Sequence, residues 1–345
     1  MAGIRSVGLN QTYTTLTSAY NAAVNDDTLL ISPGVYSETV SSTKRLHWIG
    51  AGHDRVIIYG RLILNAGSDG TRIEGLYAIG GYFNAGIVQL AAGIDLIEIK
   101  RCRIRNTYAT ATYEAYGIQR TASLGGRLTL ESCILEQPFN GSTWGAHLDL
   151  NGDVVTIKNT IFCNYGNDNS QNIRRRAFRN LPQSLSVENC VFTNFSLIFD
   201  LAITPPIRFH NNVVHDWAGS PSWASFSLDG LDFAFNASTS IAPPGTDGIL
   251  LVGDPFVEYD EGVNYVYGVS DLHLAAGSPC FDAGDPAVLD LDNSRSDMGI
   301  YGGPTPFVEY GAPNYPFAVD LTIPTSMTAG QQLPIQAAGR IGAGY

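Results

Sequence analysis

Two carboxylates and an arginine recur at one position of a repeating strand phrase. The phrases are Leu148-Asp149-Leu150, Phe178-Arg179-Asn180 and Phe199-Asp200-Leu201, with Val88-Gln89-Leu90, Ile118-Gln119-Arg120 and Phe226-Ser227-Leu228 extending the series. Period-2 alternation turns the mostly apolar flanks inward and the middle residue outward. The expected outward stripe is therefore Gln89, Gln119, Asp149, Arg179, Asp200 and Ser227. If the strands stack as neighbours, Asp149 and Asp200 lie roughly 9.6 Å apart across Arg179. Carboxyl pairs roughly 6.5–9.5 Å apart leave room for a water that attacks a glycosidic bond with inversion. Arg179 could bind a substrate carboxylate, hold one aspartate ionised, or act as base in an elimination. The same row also reads as plain neutralisation of adjacent outward charges.

Rings crowd the segments that feed this stripe: Tyr108, Tyr113 and Tyr116, then Phe139 and Trp144, Tyr165, Trp217 and Trp223. Tyrosine and tryptophan offer flat apolar area with a polar edge, which suits the C–H face of a sugar. Gln119, His147, Trp144, Tyr116 and Trp223 are the candidate carbohydrate-binding residues beside the catalytic candidates Asp149, Asp200 and Arg179. His147, two residues before Asp149, is expected on the same face. Some of these rings also read as packing under long loops. No His/Cys spacing suggests zinc. Asp290, Asp292 and Asp297 alternate oxygen ligands as calcium loops do, but without the glycine and closing glutamate of an EF-hand, so a plain turn is the simpler reading.

These residues need a scaffold that stacks equivalent strands, and a second phrase supplies one. Leu76, Cys102, Cys133, Thr160, Cys190 and Asn212 end similar strand-like phrases at intervals of 22 to 31 residues. One strand phrase per repeat, with no helical pattern between, predicts a β-solenoid in which these residues form an interior ladder. Before it, Leu16, Tyr20, Ala23 and Val24 fall on one face of a short helix, ended by Asn25-Asp26-Asp27. Such a helix would cover the open first coil. We expect three parts: 1–40 as cap and first coil, 41–304 as a parallel β-helix, and 305–345 as a β tail. The tail reads as two strands around Thr328-Ala329-Gly330, too few for a core of their own, so it packs on the rod or pairs with a partner.

Composition agrees with one all-β rod. The 345 residues are 44% hydrophobic and only 15% charged, with 37 glycines. The net charge of −12 excludes a phosphate-backbone binder, so no nucleic acid is expected. Five cysteines, three of them on the interior ladder, read as buried thiols rather than a disulfide framework. No stretch approaches 18 uninterrupted apolar residues, so no membrane span is expected, and the N-terminus shows no signal-peptide core.

The phrase Asp27-Thr28-Leu29, Ile31, Pro33-Gly34 and Tyr36 resembles the entry to right-handed parallel β-helix proteins of the pectate-lyase-like superfamily. Gly277-Ser278-Pro279-Cys280, Asp282-Ala283-Gly284, Asp297-Met298-Gly299 and Tyr301-Gly302-Gly303-Pro304 resemble the last coils of polysaccharide-associated members. The resemblance implies a fold that hosts lyases, hydrolases, esterases and non-enzymatic phage spikes, so it does not choose among them. The polygalacturonase Asn-Thr-Asp, Gly-His-Gly and Arg-Ile-Lys constellation and the lyase Arg-x-Pro-x-x-Arg phrase are absent. The expectation is an exposed virion protein of tailspike or fibre type that engages a surface polysaccharide. It would be homo-oligomeric, sit with other virion proteins, and be found on the virion surface or outside the cell. The alternatives are a polysaccharide lyase or glycoside hydrolase of the same fold, or a non-catalytic decoration or assembly subunit.

Overall fold

The chain winds into a right-handed parallel β-helix of about 8 turns. The computed structural model describes every residue except 1, 109–113, 123, 139–144, 166–174, 202–204, 218–220, 260–264, 313–315, 323–329, 331, 333–335 and 342–345. The side chains of 138, 145, 165, 181, 317–322 and 336–338 are also left undescribed. Three parallel sheets run the length of the rod, with ten, eight and ten strands. Sheet A begins with Ile4–Val7 and ends with Asp232–Ala234; sheet B runs from Gly34–Tyr36 to Ile249–Leu250; sheet C runs from Val40–Ser42 to Ser222–Ala224. No helix among the described residues is long and apolar enough to cross a membrane.

The interior ladder forms as its phrase predicts. Leu76, Cys102, Cys133, Thr160, Cys190 and Asn212 are all buried, and Asn236 extends the row. Thr160 and Asn212 pay for their polarity within the ladder: Thr160 Oγ1 accepts the Cys133 N–H at 3.3 Å and Asn212 Oδ1 that of Cys190 at 2.9 Å. All five cysteines are free and buried. Burial pushes the thiol pKa of Cys133 up to about 12, which keeps it a neutral packing group. A phenylalanine stack fills the rod beside them, with Phe162 parallel to Phe192 at 4.7 Å and Phe178 to Phe199 at 5.4 Å.

The cap helix spans Leu16–Ala22 and buries Leu16 and Ala19. Val24, expected on the same face, is exposed because the helix ends before it. The Glu38 carboxylate accepts the Leu16 and Thr17 N–H groups, each at 2.8 Å, placing an anion at the positive end of the helix.

The far end of the chain differs from the expected last coils. Parallel pairing among the described residues stops at Leu250, and the described residues of 251–259 and 265–312 turn back along the outside of sheet B. Cys280, Met298, Ile300 and Phe307 bury themselves there against Ile134, Ile161, Val191 and Val213, forming a second apolar core. The physical reason lies at the turn from sheet A to sheet B. Ser132, Asn159, Asn189 and Asn211 occupy the left-handed region there (φ 55, 46, 52 and 58), and their side chains grip the returning backbone. Asn159 Nδ2 donates to the carbonyls of Ile300 (2.9 Å) and Gly302 (2.7 Å), and Ser132 Oγ accepts the Val308 N–H (2.6 Å). The tail forms an antiparallel pair, Phe317–Thr322 with Gln336–Arg340, and Arg340 anchors it to Asp54 at 2.6 Å.

Candidate functional site

Sheet C carries the expected polar stripe. Gln89 pairs with Gln119, Gln119 with Asp149, Asp149 with Arg179 and Arg179 with Asp200, each one coil further along. Ser227 does not continue it. The last strand of the sheet is Ser222–Ala224, and Ser227 lies in the turn beyond.

The backbone bends within these strands, and the bend changes which residues face out. The coil pairings run through Tyr116↔Ala146 and Ile118↔Leu148 but skip the position between. That skipped rung points inward together with its successor. Ile87, Ala177 and Ile198 on it are core residues, and a Cβ on Gly117 would lie 3.5 Å from the buried Leu135. His147 sits on this rung and therefore does not share the face of Asp149. It is fully buried, with its ring against Phe162 and Phe195 and Nε2 2.9 Å from Asn164 Oδ1. Burial depresses its pKa to about 3, so it stays neutral. Trp223 occupies the same inward rung at the end of the rod. It packs on Phe209 and Trp217 and donates Nε1–H to the Ala242 carbonyl at 3.0 Å, so it offers no open ring to a sugar.

The bend leaves two outward rungs, and their side chains form one cluster. Tyr116 and Arg176 come from the first; Gln119, Asp149, Arg179 and Asp200 come from the second. Glu114, from the loop entering the strand Ala115–Arg120, joins them. Its backbone is tied to the coil before, with its N–H donated to Asn84 Oδ1 at 3.1 Å. Arg179 donates to the Glu114 carboxylate and, at 2.5 Å, to the Tyr116 hydroxyl. Arg176 donates to Asp200 Oδ2 at 2.5 Å and lies 3.9 Å from Glu114. The Tyr116 ring is buried in the middle, with its hydroxyl bonded to Glu114, so it organises the cluster rather than lying open as a platform.

Asp149 differs from its neighbours. It is only 4% exposed. Gln119 Nε2 donates to its Oδ2 at 3.2 Å and Asn180 Nδ2 donates to its Oδ1. The Gln119 amide is oriented by the Gly86 N–H, which its oxygen accepts at 3.1 Å. Burial raises the Asp149 pKa, outweighing the two amide hydrogen bonds and the nearby Arg179 charge. In Arg179 it is the charged form that is favoured. Burial works against its cation, but the hydrogen bond to Glu114 and the adjacent Tyr116 and Asp149 prevail and raise its pKa. An arginine held so firmly protonated is a poor base, which counts against an elimination through Arg179.

Sequence reasoning missed Glu114 and Asn180. Arg176 belongs to the basic run Arg174-Arg175-Arg176, which with Arg179 reads from the sequence as a cluster that pairs with local carboxylates or with an anionic ligand such as an acidic sugar. Its pairing with Asp200 is of the first kind. Sequence reasoning also missed the amides that fix the loop bases: Asn106, Gln137, Asn164 and Asn194 are buried at one position of four successive coils. Asn106 Nδ2 donates to the carbonyls of Tyr82 (2.9 Å) and Tyr116 (3.0 Å), and Gln137 Nε2 to that of Ala146 (2.8 Å). Trp144, Tyr113 and Phe139 lie outside the described residues, as does the side chain of Tyr165. At the rim of the sheet, Phe83 and Tyr108 pair at 5.6 Å, with Phe83 56% exposed, and supply apolar ring surface there. Near the suggested calcium loop, Asp290 accepts the Gly303 and Asp297 N–H groups, and Asp297 accepts that of Asp282. Among the described residues, no group of three or more His, Cys, Asp or Glu is placed to hold a metal ion.

Fold and site together define a parallel β-helix that carries a partly buried cluster of charged and amide side chains on one sheet. No protein-family model and no curated protein matches the chain. Among solved structures it is similar to pectate lyase Pel9A, at 10% identity over 87% of this chain and 96% of that one, with a TM-score of 0.42. It is also similar to the pectin methylesterase from Aspergillus niger, at 14% identity over 67% and 92%, with a TM-score of 0.38. Pectin methylesterase PemA from Erwinia chrysanthemi follows at 11% identity over 72% and 73%, with a TM-score of 0.33. At this distance the likenesses assign no activity.

Proposed function

We propose that the outer face of sheet C engages a polysaccharide and cleaves it by hydrolysis, with Asp149 as general acid and Asp200 as the carboxylate that activates water. The observation that carries this is the contrast between the two aspartates. Asp149 is buried, held by neutral amides and raised in pKa, while Asp200 is ion-paired to Arg176. Two carboxyl groups in such different surroundings are suited to opposite proton-transfer roles. Their rungs are two coils apart, roughly 9.6 Å, which fits attack by an intervening water better than direct attack by a carboxylate. Arg179 and Glu114 position the cluster, and Gln119 fixes the acid. The Phe83–Tyr108 pair supplies ring surface for sugar stacking.

The test is release of reducing ends from a panel of capsular and pectic polysaccharides. Asp149→Asn and Asp200→Asn should each lower turnover by roughly 10²–10⁴-fold while polysaccharide affinity holds. Unsaturated products, or full turnover by Asp149→Asn, would overturn the assignment. The setting expected from the sequence, a virion protein of tailspike type, stands as a companion proposal. The C-terminal hairpin, anchored through Arg340 and not needed to close the rod, supports it. Mass spectrometry of purified particles tests it.

A further inference from the structure

A cavity of about 250 Å³ lies between the outer face of sheet B and the returning segment, away from sheet C. Ile134 and Ile161 form its floor, and tyrosines dominate its walls. Tyr267 and Tyr310 meet edge to face at 6.4 Å. Tyr301 stacks on His273 at 3.7 Å and donates its hydroxyl to Glu309. Asp271 accepts from the backbone N–H of His273 at 2.9 Å, and its Oδ1 lies 2.7 Å from the His273 ring nitrogen. Among the described residues no lysine or arginine lines the space, although Arg103 and Arg340 lie 4.0 and 5.7 Å from the ring centroids of Tyr267 and Tyr310.

Tyr310 is the informative residue. It lies in the left-handed region at φ 58, ψ 5, where a bulky side chain is strained. The backbone task there is to offer a carbonyl to the His53 N–H at 3.0 Å. Glycine or asparagine would do that without strain. Yet the position holds a tyrosine, 45% exposed at the mouth of the cavity, whose ring meets Tyr267 and the Arg340 guanidinium. The ring, not the turn, accounts for the residue.

We infer that this cavity binds a single neutral or amino-bearing sugar ring, at a site separate from sheet C. Its volume is below the range that takes drug-sized ligands and suits one hexose. Aromatic walls fit the C–H faces of the ring, and the tyrosine hydroxyls, Ser270, Asp271 and Glu309 fit its hydroxyl groups. The lining carries two carboxylates, and the arginines on its tyrosine rings are already paired, Arg103 with Glu136 and Arg340 with Asp54, which disfavours an acidic sugar. A quaternary ammonium would satisfy the rings but leave these hydrogen-bonding groups unused.

Saturation-transfer NMR on the full chain, with methyl glucoside, glucosamine, galacturonic acid and choline as probes, tests the site. Methyl glucoside and glucosamine should receive saturation, and galacturonic acid and choline should not. Tyr310→Gly should abolish the transfer with only a small change in melting temperature, because relief of the backbone offsets the lost ring contacts with Tyr267 and Arg340. Glu309→Gln should weaken glucosamine binding more than methyl glucoside binding. The inference is overturned if neither sugar binds, if galacturonic acid or choline binds as well as they do, or if Tyr310→Gly still binds or melts much lower.

Discussion

Replacing Asn189 should loosen the returning segment by an amount that can be divided into two parts. Its Nδ2 lies within hydrogen-bonding distance of Ser296 Oγ (3.2 Å) and the carbonyls of Asp297 (2.9 Å) and Gly299 (3.3 Å), and its Oδ1 accepts from Asn211 at 3.3 Å. The residue is 4% exposed, so these partners cannot turn to water without rearrangement. Asn189→Ala removes the bonds, at about 2 kcal/mol for buried groups left unsatisfied. It also places a Cβ without a polar side chain at φ 52, which adds about 1–2 kcal/mol. The total is about 3–4 kcal/mol. Asn189→Gly loses the same bonds and escapes the strain, but costs about 0.5–1 kcal/mol in unfolded-state entropy. Glycine should therefore be the milder substitution by about 0.5–1 kcal/mol. Equilibrium denaturation in urea, with limited proteolysis of residues 251–312, measures both. If alanine lies within about 1 kcal/mol of the parent chain, or glycine is the worse of the two, the clamp described here does not hold the segment.

Cys133→Asp should destabilise the rod by about 3–5 kcal/mol, because it buries a charge with no partner on the interior ladder; an unchanged melting temperature would refute that placement. Asp297 gives a pH signature. Burial raises its pKa from 3.8 to about 6, so its share of stability is complete below the unfolded value and is lost as pH rises through about 6. Asp297→Asn should match the parent chain near pH 3 and exceed it by about 1–2 kcal/mol near pH 7, after allowing for solvent screening; thermal melts that coincide at both pH values would refute it. A chain ending at Ala312 should melt like the full chain, whereas one ending at Pro304 should lose about 3 kcal/mol through Phe307, which is 2% exposed. Light scattering on the Ala312 form tests the proposed assembly role of the hairpin, and equal masses with and without it would rule that role out.

The rod and its outward stripe were legible because both follow from spacing. Apolar flanks around Gln119, Asp149, Arg179 and Asp200 set the face, and the coil interval set the register. What spacing alone does not show is a bend. Alternation carries His147 to the face of Asp149 and leaves Trp223 free for sugar, while the bend turns their shared rung into the core. A signal existed: Gly117 and Ala177 occupy that rung in the flanking coils, as small residues do where side chains crowd inward. Glu114 was out of reach because its role depends on a contact with Arg179, 65 residues further along the chain. The asparagines at 159, 189 and 211 were readable as turn formers. That their side chains would hold a second layer of chain was not, since those contacts span 74 residues or more.

That second layer changes how the rod should come apart. A stack of coils that touch only their neighbours melts like a row of weakly linked units, fraying from either end. Here one segment binds near Asn211, then Asn189, Asn159 and Ser132, and finally His53, so it spans most of the stack. Losing a terminal coil then also frees part of a strap that the middle coils need. Fraying becomes coupled along the axis, and the opening free energies of early and late coils should converge toward a single global value in hydrogen exchange.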